Sequence, residues 1–184
     1  LVRGLAWTSV GGEVLDVEVS VIPGTGKVEL TGKLGDVMKE SARAAMTYIR
    51  SRSELLGLEP DFYKTKDIHI HFPEGAVPKD GPSAGITMCI GLVSALTGIP
   101  VHRDVAMTGE ITLRGRILPI GGLKEKTMAA MRTGVRTVII PADNEKDLEE
   151  IDPDVRKALN FVTTDHVDHI LDVALCAMPA KKKS

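Results

Sequence analysis

Leu15, Val17, Val19 and Val21 alternate with Asp16, Glu18 and Ser20. That period of two predicts a strand with one buried face. Gly24-Thr25-Gly26 ends it as a turn. From Leu34 to Leu56 the period changes. Leu34, Val37, Met38, Ala45, Tyr48, Ile49 and Leu56 fall at helical spacings, with Lys39, Glu40, Arg43, Arg50 and Arg52 on other faces. Gly57 is placed as the helix stop. Ile68, Ile70 and Phe72 alternate with His69 and His71, which predicts a second strand. Residues 73–81 carry two prolines and two glycines and read as a loop. A helix is predicted from about Pro82 to Thr97, with Pro in its first turn and Gly98 beyond its end. Short strands follow at 104–108, 111–113 and 116–120. Gly121-Gly122 opens a helix that Gly134 closes, and 137–140 is a strand stopped by Pro141. Helices near 143–151 and 155–159, a strand near 161–163 and a last helix over 167–177 complete the pattern. Strands come first, then helices and strands in alternation, which describes a mixed α/β arrangement in one domain.

Composition narrows the class. The chain has 184 residues, 43% hydrophobic and 26% charged, enough aliphatic content for one sizeable core. A formal charge of −2 and 3% aromatics give no support to a nucleic-acid surface. No apolar run reaches the roughly 18 residues of a membrane span. Cys89 and Cys176 both sit in apolar periodic segments and are expected to be buried thiols of a reducing compartment. The chain starts at Leu1 with no charged-then-apolar leader, and is read as a piece of a longer polypeptide.

The sharpest local feature is Gly81-Pro82-Ser83-Ala84-Gly85, which fits G-x-S-x-G. Such a turn presents a nucleophilic serine among small neighbours. A helix starting there offers free N–H groups and a positive dipole end to a developing oxyanion. A serine capping the first helical turn is the alternative reading. The α/β-hydrolase version fits poorly, because a polar, Pro-rich loop leads into Ser83. His102, His166 and His169 remain as bases, none with an evident orienting acid.

A lysine is the other candidate base. Free Lys is protonated at pH 7, and burial among apolar groups lowers its pKa. Lys126 has Leu123 at i−3 and Ala130 at i+4, whereas Lys124 has Thr127 and Met128. The pattern favours Lys126 weakly, and taken alone it fits two solvated lysines better. His69 and His71 share a strand face without further ligands at zinc spacing, so no metal is assigned. Asp80, three residues before Ser83, reads as a cap or as a charge near Lys126.

Pro78-Lys79-Asp80-Gly81-Pro82-Ser83-Ala84-Gly85 resembles the nucleophile segment of the Lon family of ATP-dependent serine proteases. The segments Met107 to Gly115 and Leu118 to Lys126, and the opening Gly4-Leu5-Ala6-Trp7-Thr8, are similar to that family's proteolytic domain in the same order. The likeness runs from about Gly4 to Ala174 and is nearest to bacterial forms. It implies Ser83 as nucleophile, Lys126 as base, and Thr108 as a hydroxyl supporting the lysine, with Asp80 also placed among the supporting residues.

The resemblance also implies an α+β fold, a single proteolytic domain over 1–184 related to the second domain of ribosomal protein S5, ending in a short tail at 179–184. It implies a homohexamer, a cytoplasmic protein with no membrane association, and unfolded or damaged proteins as substrates. An AAA+ ATPase module of the same full-length chain would thread those substrates into the chamber. ATP and Mg belong to that module. No phosphate loop occurs in this stretch: Gly26-Lys27 is followed by Val28, and position 21 is Val. No cofactor, metal or nucleotide site is therefore expected here. A non-catalytic polypeptide-binding module and a phosphate site at the Gly81–Gly85 turn are the competing classes. The first needs Ser83 or Lys126 to be absent, and the second needs a metal-binding carboxylate not found in the pattern.

Overall fold

One mixed sheet with apolar side chains on both faces organises the computed structural model of the chain, which describes residues 1–8, 11–73 and 81–180. The strands are β1 (Val2–Thr8), β2 (Gly11–Pro23), β3 (Val28–Thr31), β4 (Lys66–His71), β5 (Val105–Met107), β6 (Glu110–Ile111), β7 (Ile117–Leu118), β8 (Thr137–Pro141) and β9 (Asn160–Thr164). The helices are α1 (Asp36–Ser51), α2 (Phe62–Thr65), α3 (Gly85–Thr97), α4 (Leu123–Arg132), α5 (Pro153–Ala158) and α6 (Leu171–Ala174). Seven strands form the sheet in the order β3-β4-β2-β1-β5-β8-β9, and β6-β7 is a separate hairpin. β1 and β4 pair antiparallel with β2; β3-β4, β1-β5, β5-β8 and β8-β9 are parallel.

Each strand gives one residue set to each face, as the pleat requires. Val17, Ile68, Ile70, Val105, Met107 and Ile139 join the cluster built with α1 and α3. Leu5, Ala106, Val138 and Ile140 join a second cluster with Leu123 and Ala130 of α4 and Val155 of α5. Helices thus cover both faces, and α3 is buried from Gly85 to Val93. Its apolar character on every side follows from that burial.

Several sequence expectations change in detail. The helix predicted to Leu56 ends at Ser51, and irregular turns carry the chain to Gly57. The segment near 143–151 is a 3-10 helix, Ala142–Glu150. The single helix expected over 167–177 splits into a 3-10 turn, Val167–His169, and α6. His166 Nδ1 accepts from the Asp168 N–H at 3.1 Å and so caps the start of the short turn. Cys89 is buried as expected, but Cys176 is exposed. It lies past the end of α6, where Leu175 takes the inward position at 2% exposure.

The β6-β7 hairpin is fastened to the stretch after β9. Ile117 N–H donates to the Asp165 carbonyl at 2.8 Å, and Val167 N–H donates to the Gly115 carbonyl at 2.9 Å. With Nδ1 engaged as acceptor, His166 donates from Nε2 to the Arg114 carbonyl at 2.8 Å. On the α1 side, the Tyr48 hydroxyl and the Arg52 guanidinium both bond the Asp168 carboxylate. Burial raises the Tyr48 phenol above its ordinary pKa, helped by its bond to Asp168.

Candidate active site

Ser83 lies in the turn that leads into α3, two residues before the helix begins at Gly85. Gly85 N–H donates to the Pro82 carbonyl at 3.1 Å, closing that turn. Ile86 N–H donates to the Gly109 carbonyl at 3.1 Å, and Gly109 N–H donates back to the Ser83 carbonyl at 2.9 Å. The first amides of the helix are thus engaged by protein, where the sequence suggested free donors. The positive helix end still faces the serine turn. Gly85 is small for a packing reason. A methyl there would lie 2.9 Å from the Ile111 backbone nitrogen, inside normal contact distance.

Lys126 occupies the first turn of α4 and is 2% exposed, whereas Lys124 is exposed. The helical spacing noted in the sequence therefore separates the two lysines correctly. The Lys126 amine donates to Thr108 Oγ1 at 3.1 Å. Burial alone pushes its pKa down from 10.5 to about 8. Thr108 is fully buried, and its own N–H donates to the Ile139 carbonyl of β8 at 3.1 Å.

Two adjacent residues after β5 therefore hold both candidates. Thr108 takes the lysine through its side chain, and Gly109 takes the serine through its backbone. Ser83 and Lys126 are 43 residues apart in the chain, and the Thr108–Gly109 corner brings their segments together. Among the described residues, the lysine amine bonds Thr108 and not the serine hydroxyl.

Other sequence candidates fall elsewhere. Asp80 lies outside the described residues. His166 is engaged by Arg114 and Asp168, and His169 lies beside Asp165. His69 Nε2 and His71 Nδ1 share the Thr31 hydroxyl at 2.8 and 2.6 Å. Among the described residues, no group of three or more His, Cys, Asp or Glu is arranged to hold a metal ion. No helix among them is long and apolar enough to cross a membrane.

Asn144 was not legible as a site residue. Its side-chain oxygen accepts from Ile120 N–H at 2.9 Å, and its amide donates to the Ile120 carbonyl at 2.8 Å. That bracket pins the segment entering Gly121-Gly122, from which α4 starts. Its only sequence signal is a polar residue at a position that proves 2% exposed.

The family of the Lon protease (S16) C-terminal proteolytic domain matches residues 1–177. The chain is similar to a Lon protease of Brevibacillus choshinensis, 63% identical over 182 residues, covering 99% of this chain and 23% of that protein. Lon protease 1 of Bacillus subtilis (strain 168) is 64% identical over 175 residues, covering 95% of this chain and 23% of the relative. Lon protease of Vibrio parahaemolyticus is 62% identical over 174 residues, with 95% and 22% covered. The chain spans about a fifth of the length of the curated relatives it matches. By motif, fold and extent of match, it belongs to the family of Lon protease C-terminal proteolytic domains.

Proposed function

We propose that this domain is a serine endopeptidase in which Ser83 is the nucleophile and Lys126 its general base. The observation that supports this best is the buried Lys126 amine, bonded to Thr108 next to the residue that holds Ser83. Burial brings the lysine to about 8, so a useful fraction is neutral near pH 8. Ser83 Oγ attacks the peptide carbonyl carbon as its proton passes to Nζ. The tetrahedral intermediate collapses, and the lysine ammonium protonates the departing amine. Water then attacks the acyl-serine ester, giving a proton to Nζ. When that second intermediate collapses, the same proton returns to Ser83 Oγ and the acid product leaves. The lysine must swing from Thr108 Oγ1 toward Ser83 for these transfers. Thr108 holds it within reach between turnovers.

The remainder of the proposal rests on likeness to full-length relatives. We read the domain as extending over 1–184 with a tail at 179–184, as related to the second domain of ribosomal protein S5, and as having Asp80 beside the site. In this reading it works as a homohexamer with an AAA+ ATPase module in the same chain. ATP and Mg serve that module, and unfolded proteins are the substrates in the cytoplasm. The direct test is reaction with a fluorophosphonate, followed by mass spectrometry. A single adduct on Ser83, absent in Ser83→Ala, supports the nucleophile. Labelling that persists in the variant overturns it.

A further inference from the structure

We propose that Gly12 is a positioning residue for the Lys126 base: its missing side chain lets the α4 backbone at Glu125–Lys126 come close to β2. This rests on the reading of Lys126 as the base.

The geometry is specific. Gly12 pairs with Trp7 in the β1-β2 hairpin. Val14, two residues on and on the same side of the strand, packs in the cluster that contains Leu123 and Ala130 of α4. A methyl group on Gly12 would overlap the Glu125 carbonyl and lie 2.9 Å from the Lys126 backbone nitrogen. The obstacle is helix backbone, not the far end of a flexible side chain. Any side chain here therefore moves α4 away from the sheet or bends the hairpin away from α4.

Lys126 sits on the turn that would be displaced. Its amine reaches Thr108, which is anchored to β8 and does not follow α4. Moving the helix outward lengthens that bond and lets water reach the amine. Both changes act on the base alone. The serine turn is held by Gly109 and Pro82, and among the described residues no backbone hydrogen bond ties it to α4. Gly12 thus sets how deep the lysine lies without touching a substrate atom.

The test compares Gly12→Ala with wild type in fluorophosphonate labelling and in hydrolysis of an unstructured fluorogenic peptide, over pH 6–11. The expected result for the folded variant is a midpoint moved upward from about 8 toward the ordinary 10.5. At pH 8 its kcat should fall about tenfold or more, with KM within about threefold, because geometry at the reacting groups is degraded while binding is not. Since Gly12→Ala strains the packing, Gly12→Ala/Val155→Ala is made alongside it. The smaller side chain on α5, which also packs against α4, gives the displaced helix room. A folded single or double variant with wild-type midpoint and kcat overturns the proposal. Failure of both to fold also overturns it, because Gly12 would then be a requirement of the fold and not of lysine placement. Lys126→Arg is assayed in parallel. If it stays active, the base assignment has failed. If it is inactive while Gly12→Ala behaves as wild type, only the present inference has failed.

Discussion

The Lys126 amine donates to Thr108 Oγ1 at 3.1 Å, and the next residue along the chain, Gly109, donates its N–H to the Ser83 carbonyl. One peptide unit thereby sets the separation of two groups that the sequence keeps far apart.

Thr108→Val keeps the shape and removes the hydroxyl. The buried amine loses its acceptor, which costs about 1–3 kcal/mol of stability. Activity should fall by at least about tenfold, because the lysine is no longer held near Ser83. Thr108→Ser should restore most of both. Chemical denaturation and peptide hydrolysis measured on the same preparations check this, and a fully active Thr108→Val would remove the hydroxyl from the mechanism.

Lys126→Arg should be inactive, since guanidinium keeps its proton at any working pH. Lys124→Arg should retain most activity, because Lys124 is exposed and the bond to Thr108 is made by Lys126. In wild type, the rate should rise with pH to a plateau with a midpoint near 8. A flat profile from pH 6 to 10 would argue against a lysine base.

Burial of Lys126 also has a thermodynamic signature. Its pKa is about 8 when folded and 10.5 ordinarily, so between those values the unfolded chain binds more protons. The lysine's contribution is therefore unfavourable below pH 8 and fades as pH rises toward 10.5. Lys126→Met should be more stable than wild type at pH 7, by on the order of 3 kcal/mol, with most of that advantage gone at pH 10.5. Urea unfolding at the two pH values measures it. An unchanged difference would mean the amine is solvated.

Ser83→Ala removes one hydroxyl from a partly exposed turn. Hydrolysis should disappear while stability changes by about 1 kcal/mol or less. By contrast, Asp168→Ala should cost about 2 kcal/mol, since it strands the buried Tyr48 hydroxyl and frees Arg52. The pH midpoint of its residual activity should match wild type, because the Asp168 cluster fastens the β6-β7 hairpin and does not contact Lys126.

Local signals carried much of this architecture. Period-two alternation located β2 and β4, because one face of each packs against helices. Pro82 and Gly98 located α3 to within its first turn. Lys126 was separable from Lys124 because Leu123 and Ala130 share its side of α4. The segment Val2–Thr8 carries few period-two cues: Gly4 and Ala6 leave little contrast between its faces. Its strand character comes from pairing with β2 and β5, which is tertiary information. The role of Gly12 was illegible for a similar reason. Nothing in the pattern marks Gly12, and only the nearness of Glu125 shows what its missing side chain permits. Cys176 was misjudged because an apolar run continues past the end of α6, where the helix no longer decides which way each residue faces.

The position of β1 has a kinetic consequence. It lies in the interior of the sheet, and its parallel partner β5 aligns Arg3 with Ala106 and Gly4 with Met107. A parallel contact over such a span closes a long loop and is slow to form. Thr108 comes directly after β5. The corner joining Ser83 to Lys126 sits at the end of a strand that takes its place beside β1 only when segments 106 − 3 = 103 residues apart in the chain meet. Assembly of the candidate dyad is thereby tied to completion of the sheet, and an unfolded chain carries Ser83 and Lys126 only as separate side chains.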